Sequence, residues 1–276
     1  MGRDSVSVYH LHPKYLLLSA ILALTVWPVR ASANARQRPQ KPIIHGPTDE
    51  KVVALTFDDG PDPLYTPRIL SILKNAGVHA TFFEVGQLVE KHPELTRLVI
   101  REGHALGNHT YSHPDLRLDT AGQVRQEIAG CDQAIANACG VHTRLFRPPK
   151  RLYDDQILEA LRRGGYQTVL WSLTVEHKST PTPMEMADRV VAKARPGTII
   201  LAHDGRLDRE HTVAALPTTI EGLKNKGYRF VTVPEMIELI EKSKTHPANS
   251  AQAPKHRIRQ PQRGGWQAPR PDGGLL

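Results

Sequence analysis

Cysteine is nearly missing from this sequence: Cys131 and Cys139 are its two in 276 residues, so at most one disulfide can staple it. An exported chain could join them. On one continuous helix, however, eight positions would hold them about 12 Å apart, beyond disulfide reach. A bridge therefore requires a helix that ends before Cys139, which Ala138-Cys139-Gly140 permits, and neither thiol reads as catalytic. Aromatic residues are sparse at 5%, so no aromatic-rich binding module stands out. Internal repeats are absent. Acidic residues fall short of basic ones, 28 against 36, leaving a formal net charge of +8. A basic balance suits nucleic acid, anionic lipid or an anionic cell wall without choosing among them. The excess sits largely in the flanking segments and no nucleic-acid-binding motif appears, so no nucleic-acid partner is expected.

Long apolar runs are lacking too, with one exception, Tyr15 to Val29. Arg3 and Lys14 precede it and Ala31-Ser32-Ala33 follows it. A basic start, an apolar middle and a small-x-small end describe a secretory signal peptide. The run is short of the about 20 residues a membrane span needs, while Arg30 and the long leader keep an uncleaved anchor as the alternative. Residues 1–33 are thus expected to be a signal peptide or membrane anchor, and the protein to be secreted or held at the cell surface. Residues 34–50, rich in Pro, Gln, Arg and Lys, read as a linker. Residues 244–276 read as a disordered basic tail, too poor in apolar side chains to offset ordering entropy. Its charge would suit an anionic wall polymer or a membrane surface.

Between these flanks, residues 51–243 offer roughly 200 residues, enough for a full core. Short apolar runs alternate there with amphipathic stretches. Strands are expected at Val52–Phe57, Ala80–Val85, Ala105–Asn108, Arg144–Arg147, Thr168–Leu173, Thr198–Ala202 and Arg229–Val233. Helices are expected at Pro67–Ala76, Leu88–Arg101, Thr120–Ala138, Asp154–Arg163, Pro183–Ala194, Thr212–Asn225 and Pro234–Lys242. About seven β-then-α units imply an α/β fold, a parallel sheet covered by helices, as a barrel or an open doubly wound sheet.

Three chemistry-bearing motifs follow expected strands, where sites form in such folds. In Thr56-Phe57-Asp58-Asp59-Gly60-Pro61, two carboxylates follow a buried strand, a costly arrangement unless something compensates them. Taken alone it is an Asp-Gly-Pro turn. In His109-Thr110-Tyr111-Ser112-His113, histidines four apart would share one face of a helical turn, capped by Asn108 or Ser112, and reach one metal. Thr110 stands where a zincin protease needs Glu, which excludes that chemistry. Leu201-Ala202-His203-Asp204-Gly205 places a single His after a strand, and His is the natural proton donor near neutral pH. Together, one Asp and two His make a three-ligand set with room for water, a second Asp a base, and a separate His an acid. The other histidines, His79, His92, His104, His142, His177 and His211, are expected to be structural.

With TFDDGP, HTYSHP, FRPP and LAHDG in this order, the chain from about Lys51 to Leu239 resembles the polysaccharide deacetylase family. That family is also called the NodB-homology domain or carbohydrate esterase family four. The resemblance implies a distorted (β/α)7 barrel for residues 51–243 and hydrolysis of N-acetyl groups on an N-acetylglucosamine-containing glycan, peptidoglycan or a chitin-like polymer. It implies that Asp59, His109 and His113 hold one divalent ion, zinc or alternatively cobalt. Asp58 would be the base toward the attacking water, and His203 the acid toward the leaving amine. Arg147 would hold Asp58 ionised through a bidentate guanidinium. The Lys150 backbone N–H would meet the oxyanion, and Trp171 and Leu201 would line the acetyl pocket. A monomer is expected.

Two positions depart from the family pattern. Lys150-Arg151 replaces a pair such as Tyr-Gly and adds positive charge to the groove, which would favour an anionic or phosphate-decorated glycan. Thr174 stands where the family has an Asp that tunes the catalytic His. Unless Glu176 substitutes, His203 would be less elevated and the pH optimum shifted to acid. The alternatives are an O-acetyl esterase of the xylan type and a weakly active glycan-binding protein.

Overall fold

A computed structural model describes residues 41–245. The leader, most of the linker and almost all of the basic tail expected above lie outside the described residues. Among the described residues no helix is long and apolar enough to cross a membrane.

The chain begins its alternation with β1 (Val52–Asp58), every residue of which is buried. It is followed by α1 (Tyr65–Ala76), which stops at Gly77 in the left-handed conformation that a side chain would strain. Then come β2 (Thr81–Glu84), α2 (Gly86–Lys91), α3 (Pro93–Arg101) and β3 (Ala105–Asn108). Next are α4 (Ala121–Cys139), β4 (Leu145–Phe146), α5 (Asp155–Arg163), β5 (Gln167–Thr168) and β6 (Leu173–Thr174). The last elements are α6 (Pro183–Lys193), β7 (Thr198–His203), α7 (Glu210–Asn225), β8 (Arg229–Phe230) and α8 (Val233–Thr245). The helix starts follow side-chain chemistry: Thr120 and Thr182 close capping boxes with Gln123 and Glu185, and Asp154 caps α5.

Eight parallel strands form one sheet in the order β5-β4-β3-β2-β1-β7-β6, with β8 paired to the start of β1. Its two edges are successive pieces of one run. Val169 N–H donates to the Phe146 carbonyl in β4, and Ser172 N–H donates to the Ile199 carbonyl in β7. Residues 167–174 thus cross from one edge to the other and curl the sheet into the distorted barrel. The single strand expected at Thr168–Leu173 is therefore two short ones. Ile43 bridges Val169 and His45 bridges Thr198, so the end of the stretch read as linker belongs to the sheet.

Two other expectations change. The helix expected over Leu88–Arg101 is broken at His92, because Pro93 has no N–H and pushes its predecessor out of the helical region (φ −135°, ψ 55°). Helix α4 runs unbroken through Cys139, so the two cysteines stay apart as free thiols.

Side chains alternate across each strand. Val53, Leu55 and Phe57 of β1 pack with Ile200 and Ala202 of β7 under the helices. Val52, Ala54, Phe83, Ile199 and Val169 pack on the other, inner face, where Met236 of α8 joins them. The same alternation carries Thr56, Asp58, Leu201 and His203 to the inner face, at the strand ends.

Candidate active site

Asp58 is the last residue of β1 and is paired in register with His203, the last residue of β7. The parallel ladder therefore sets the expected base and acid side by side. Asp59 follows with φ 76°, a left-handed conformation uncommon outside glycine. Its Oδ1 lies 3.1 Å from His113 Nε2 and 3.5 Å from His109 Nε2.

The two histidines do not share a helical turn. Thr110 and His113 both have positive φ, 72° and 62°, so the segment is a bent loop. Asn108 and Thr110 hold it. Asn108 Oδ1 accepts from Thr110 N–H at 2.9 Å, and Thr110 Oγ1 accepts from His113 N–H at 3.0 Å. Ser112 does not cap the turn; it binds Glu127 through its N–H and its hydroxyl, each at 2.8 Å. Strained backbone at a β-branched residue is a feature of functional loops.

Donor atoms of Asp59, His109 and His113 all lie within 4.8 Å of one another. Asp59 Oδ1 is buried without a hydrogen-bond partner. His109 Nδ1 lies 2.8 Å from the Arg147 carbonyl, which can only accept. Nδ1 therefore carries a proton, which leaves Nε2 as the ring nitrogen that faces the cluster. An orphaned carboxylate oxygen facing imidazole nitrogens fits a divalent ion of the zinc type. Burial alone would raise the Asp59 carboxyl; protonated imidazoles at His109 and His113 would outweigh it and lower that carboxyl, and a bound divalent ion would act in the same direction in their place.

Asp58 stands beside this cluster, its Oδ2 3.8 Å from His109 Nε2. Arg147 Nη1 donates to Asp58 Oδ1 at 2.6 Å and to Thr56 Oγ1 at 2.9 Å. Its Nε and Nη2 donate to the Val169 and Leu170 carbonyls at 3.2 and 3.4 Å. The grip on Asp58 is thus through one nitrogen, not the bidentate fork expected. The rest of the guanidinium is fixed by the crossing run of the barrel and by Phe83, whose ring centre is 4.0 Å away. Full burial lowers the Arg147 pKa, opposed by the Asp58 carboxylate.

His203 has a carboxylate partner after all. Its Nδ1 lies 3.2 Å from Glu176 Oε2. Glu176 Oε1 accepts from the His203 backbone N–H at 3.1 Å and from Thr212 Oγ1 at 2.7 Å, which fixes the carboxylate. Thr174 donates its hydroxyl to the Glu176 carbonyl and carries no charge to His203. Burial pulls the His203 pKa down, the Glu176 carboxylate outweighs it, and the imidazole ends above its ordinary value. The exception allowed for in the sequence therefore applies: Glu176, two residues past Thr174, supplies the charge.

Leu201 is buried on β7, two residues before His203 and on the same face. Trp171 is half-buried, with Arg147 and Arg151 5.6 and 5.5 Å from its ring. Lys150 stands apart from the buried set, exposed on a turn with φ 54°. Three buried groups were not singled out in the sequence. Arg209 Nη2 donates to Asp59 Oδ2 at 3.3 Å. Asp204 accepts from Thr66 Oγ1 at 2.6 Å, and burial raises its carboxyl to about 7. Glu84, at the end of β2, is pushed by burial to about 8. For Asp204 the signal was its place in the LAHDG motif, and for Glu84 an acid ending an apolar strand; nothing local marked Arg209.

The family model described as polysaccharide deacetylase matches residues 45–169. A peptidoglycan-N-acetylglucosamine deacetylase of Bacillus cereus is 39% identical over 193 residues, covering 69% of this chain and 90% of that protein. The peptidoglycan-N-acetylmuramic acid deacetylase PdaA of Bacillus subtilis is 35% identical over 196 residues, covering 70% of this chain and 73% of that protein. A crystal structure of a peptidoglycan N-acetylglucosamine deacetylase with 4-naphthalen-1-yl-N-oxidanyl-benzamide matches with TM-score 0.68 at 35% identity, over 70% of this chain and 91% of that one.

Proposed function

Because the chain belongs to the polysaccharide deacetylase family, we propose that it is a metal-dependent hydrolase of N-acetyl groups on an N-acetylglucosamine-containing glycan. Peptidoglycan is the first substrate and a chitin-like polymer the next. One observation carries this reading: Asp58 and His203 are register partners on adjacent strands, beside a three-donor cluster. That arrangement serves amide hydrolysis, in which a proton must be taken from water and one given to the departing nitrogen.

Asp59, His109 and His113 are assigned to one divalent ion, zinc first. When bound, the ion supplies Lewis-acid polarisation of the acetamide carbonyl and acidifies the attacking water. Asp58 accepts the proton of that water as its oxygen bonds to the carbonyl carbon. Arg147, itself anchored by Thr56, keeps the Asp58 carboxylate aimed. The Lys150 backbone N–H donates to the oxyanion. His203 then gives a proton to the departing nitrogen as the C–N bond breaks, leaving acetate and a free amine. Trp171 and Leu201 wall the acetyl methyl. Exposed Lys150 and Arg151 bring positive charge that suits an anionic glycan. The apolar leader from Tyr15 to Val29 supports export, to the medium or the cell surface.

The test is acetate and free amine released by the full chain from peptidoglycan, chitooligosaccharides and acetylated xylan. Acetate and amine in equal amounts, lost with a chelator and restored by zinc, are expected from the first two. Acetate without amine would reassign the protein to O-acetyl esters, and no acetate from any glycan would overturn catalysis.

A further inference from the structure

One buried cation lies against the donor cluster, and no step of the proposed hydrolysis uses it. Arg209 precedes α7 and is 8% exposed. Its Nε donates to the Gly205 carbonyl at 2.9 Å, and its Nη2 to Asp59 Oδ2 at 3.3 Å. The other carboxylate oxygen, Oδ1, is the one that faces His113 and His109 and has no hydrogen-bond partner. A carboxylate turns broadly about its last torsion. With Oδ2 gripped, only Oδ1 is offered to the histidines.

We propose that Arg209 is a positioning residue for the ion: it fixes Asp59 as a one-oxygen ligand with Oδ1 aimed at the cluster. The inference rests on the metal reading above. The segment carrying Arg209 is itself held against the Asp59 backbone. Asp204 N–H donates to the Asp58 carbonyl at 3.1 Å, and a Cβ at Gly205 would overlap the Asp59 carbonyl oxygen. Tyr65 hydroxyl donates to Asp208 at 3.1 Å, from the first residue of α1 to the loop after β7. Charge and orientation act in opposite directions here. A neighbouring cation repels the ion, whereas removing the outer partner of a metal ligand typically weakens affinity about 10–100-fold. Orientation decides the sign, because the guanidinium sits on the oxygen turned away from the cluster.

The test is zinc affinity of the full chain by competition with a chromophoric chelator, with the visible spectrum of the cobalt form as a second readout. Arg209→Met should bind zinc about 10–100-fold more weakly and show an altered cobalt spectrum. Arg209→Lys should recover part of the affinity, and it decides the matter if Arg209→Met does not fold. Arg68→Ala is the control, since Arg68 joins the same segments through Glu210 at 2.5 and 2.9 Å without touching Asp59. It should keep wild-type affinity. Unchanged or tighter zinc binding in the Arg209 variants, or an equal loss in Arg68→Ala, overturns the proposal. Failure of the wild type to take one ion overturns the metal reading and this inference with it.

Discussion

Asp58 and His203 each have one charged neighbour, Arg147 and Glu176, and the two pairs separate in experiment. Asp58→Asn keeps an acceptor for Arg147 but cannot take a proton, so acetate release should fall by about 10²–10⁴-fold while zinc affinity stays. Unchanged acetate release would remove Asp58 as the base. His203 must be protonated to act, so activity is lost as pH rises through its pKa. Because Glu176 raises that pKa, the alkaline limb of the rate profile lies later than an isolated imidazole would put it. Glu176→Gln should move that limb toward lower pH, whereas Thr174→Asp should leave it nearly in place. A shift with Thr174→Asp and none with Glu176→Gln would sink the assignment. The residues proposed as ligands, base and acid could be picked out in the sequence because each sits in a short motif at or just after a strand end. Arg209 was not, because it meets Asp59 across 150 positions of chain and no local spacing encodes that distance.

Strand β3 shows how an element without chemistry of its own shapes the site. Gly107 is paired with Phe83 on β2, and a Cβ at Gly107 would press into the Phe83 ring. That ring supports the Arg147 guanidinium at 4.0 Å. Gly107→Ala should therefore overpack the barrel by about 1–3 kcal/mol and also lower acetate release at temperatures where the protein is folded. Denaturant unfolding and activity measured on one preparation check both effects, and loss of stability with full activity would detach Phe83 from catalysis. Elements with strong periodicity and explicit stops were readable: α1 ends at Gly77 and α4 begins at its Thr120 capping box. Elements that depend on tertiary pairing were not. Residues 168–173 look like one apolar strand, yet their hydrogen bonds go first to β4 and then to β7. The spacing of His109 and His113 suggests a helical turn, yet side-chain bonds from Asn108 and Thr110 impose a tighter bend.

At the scale of the whole molecule, the pH range of catalysis meets a limit set by folding. Glu84 ends β2 where that strand meets α3 and α4: its Oε2 accepts from Thr96 at 2.7 Å, its carbonyl accepts from the Cys131 thiol at 3.2 Å, and its Oε1 has no partner. Burial pushes its carboxyl to about 8 from an ordinary value of 4.5. The folded chain therefore keeps a proton that the unfolded chain gives up above about pH 4.5. Stability falls as pH rises through that interval, because the unfolded state binds fewer protons there. The loss is complete once the folded group also ionises, near pH 8. Glu176 extends activity toward alkali through His203 while Glu84 weakens the fold in the same direction. Glu84→Gln cannot titrate, and its amide suits the Thr96 hydroxyl. Between pH 5 and 8, wild-type unfolding free energy should fall relative to the variant by up to about 1.4 kcal/mol per pH unit, measured in urea at matched ionic strength. Parallel pH profiles for the two proteins would show that Glu84 titrates alike in the folded and unfolded chains, and the alkaline limit would then have to come from another group.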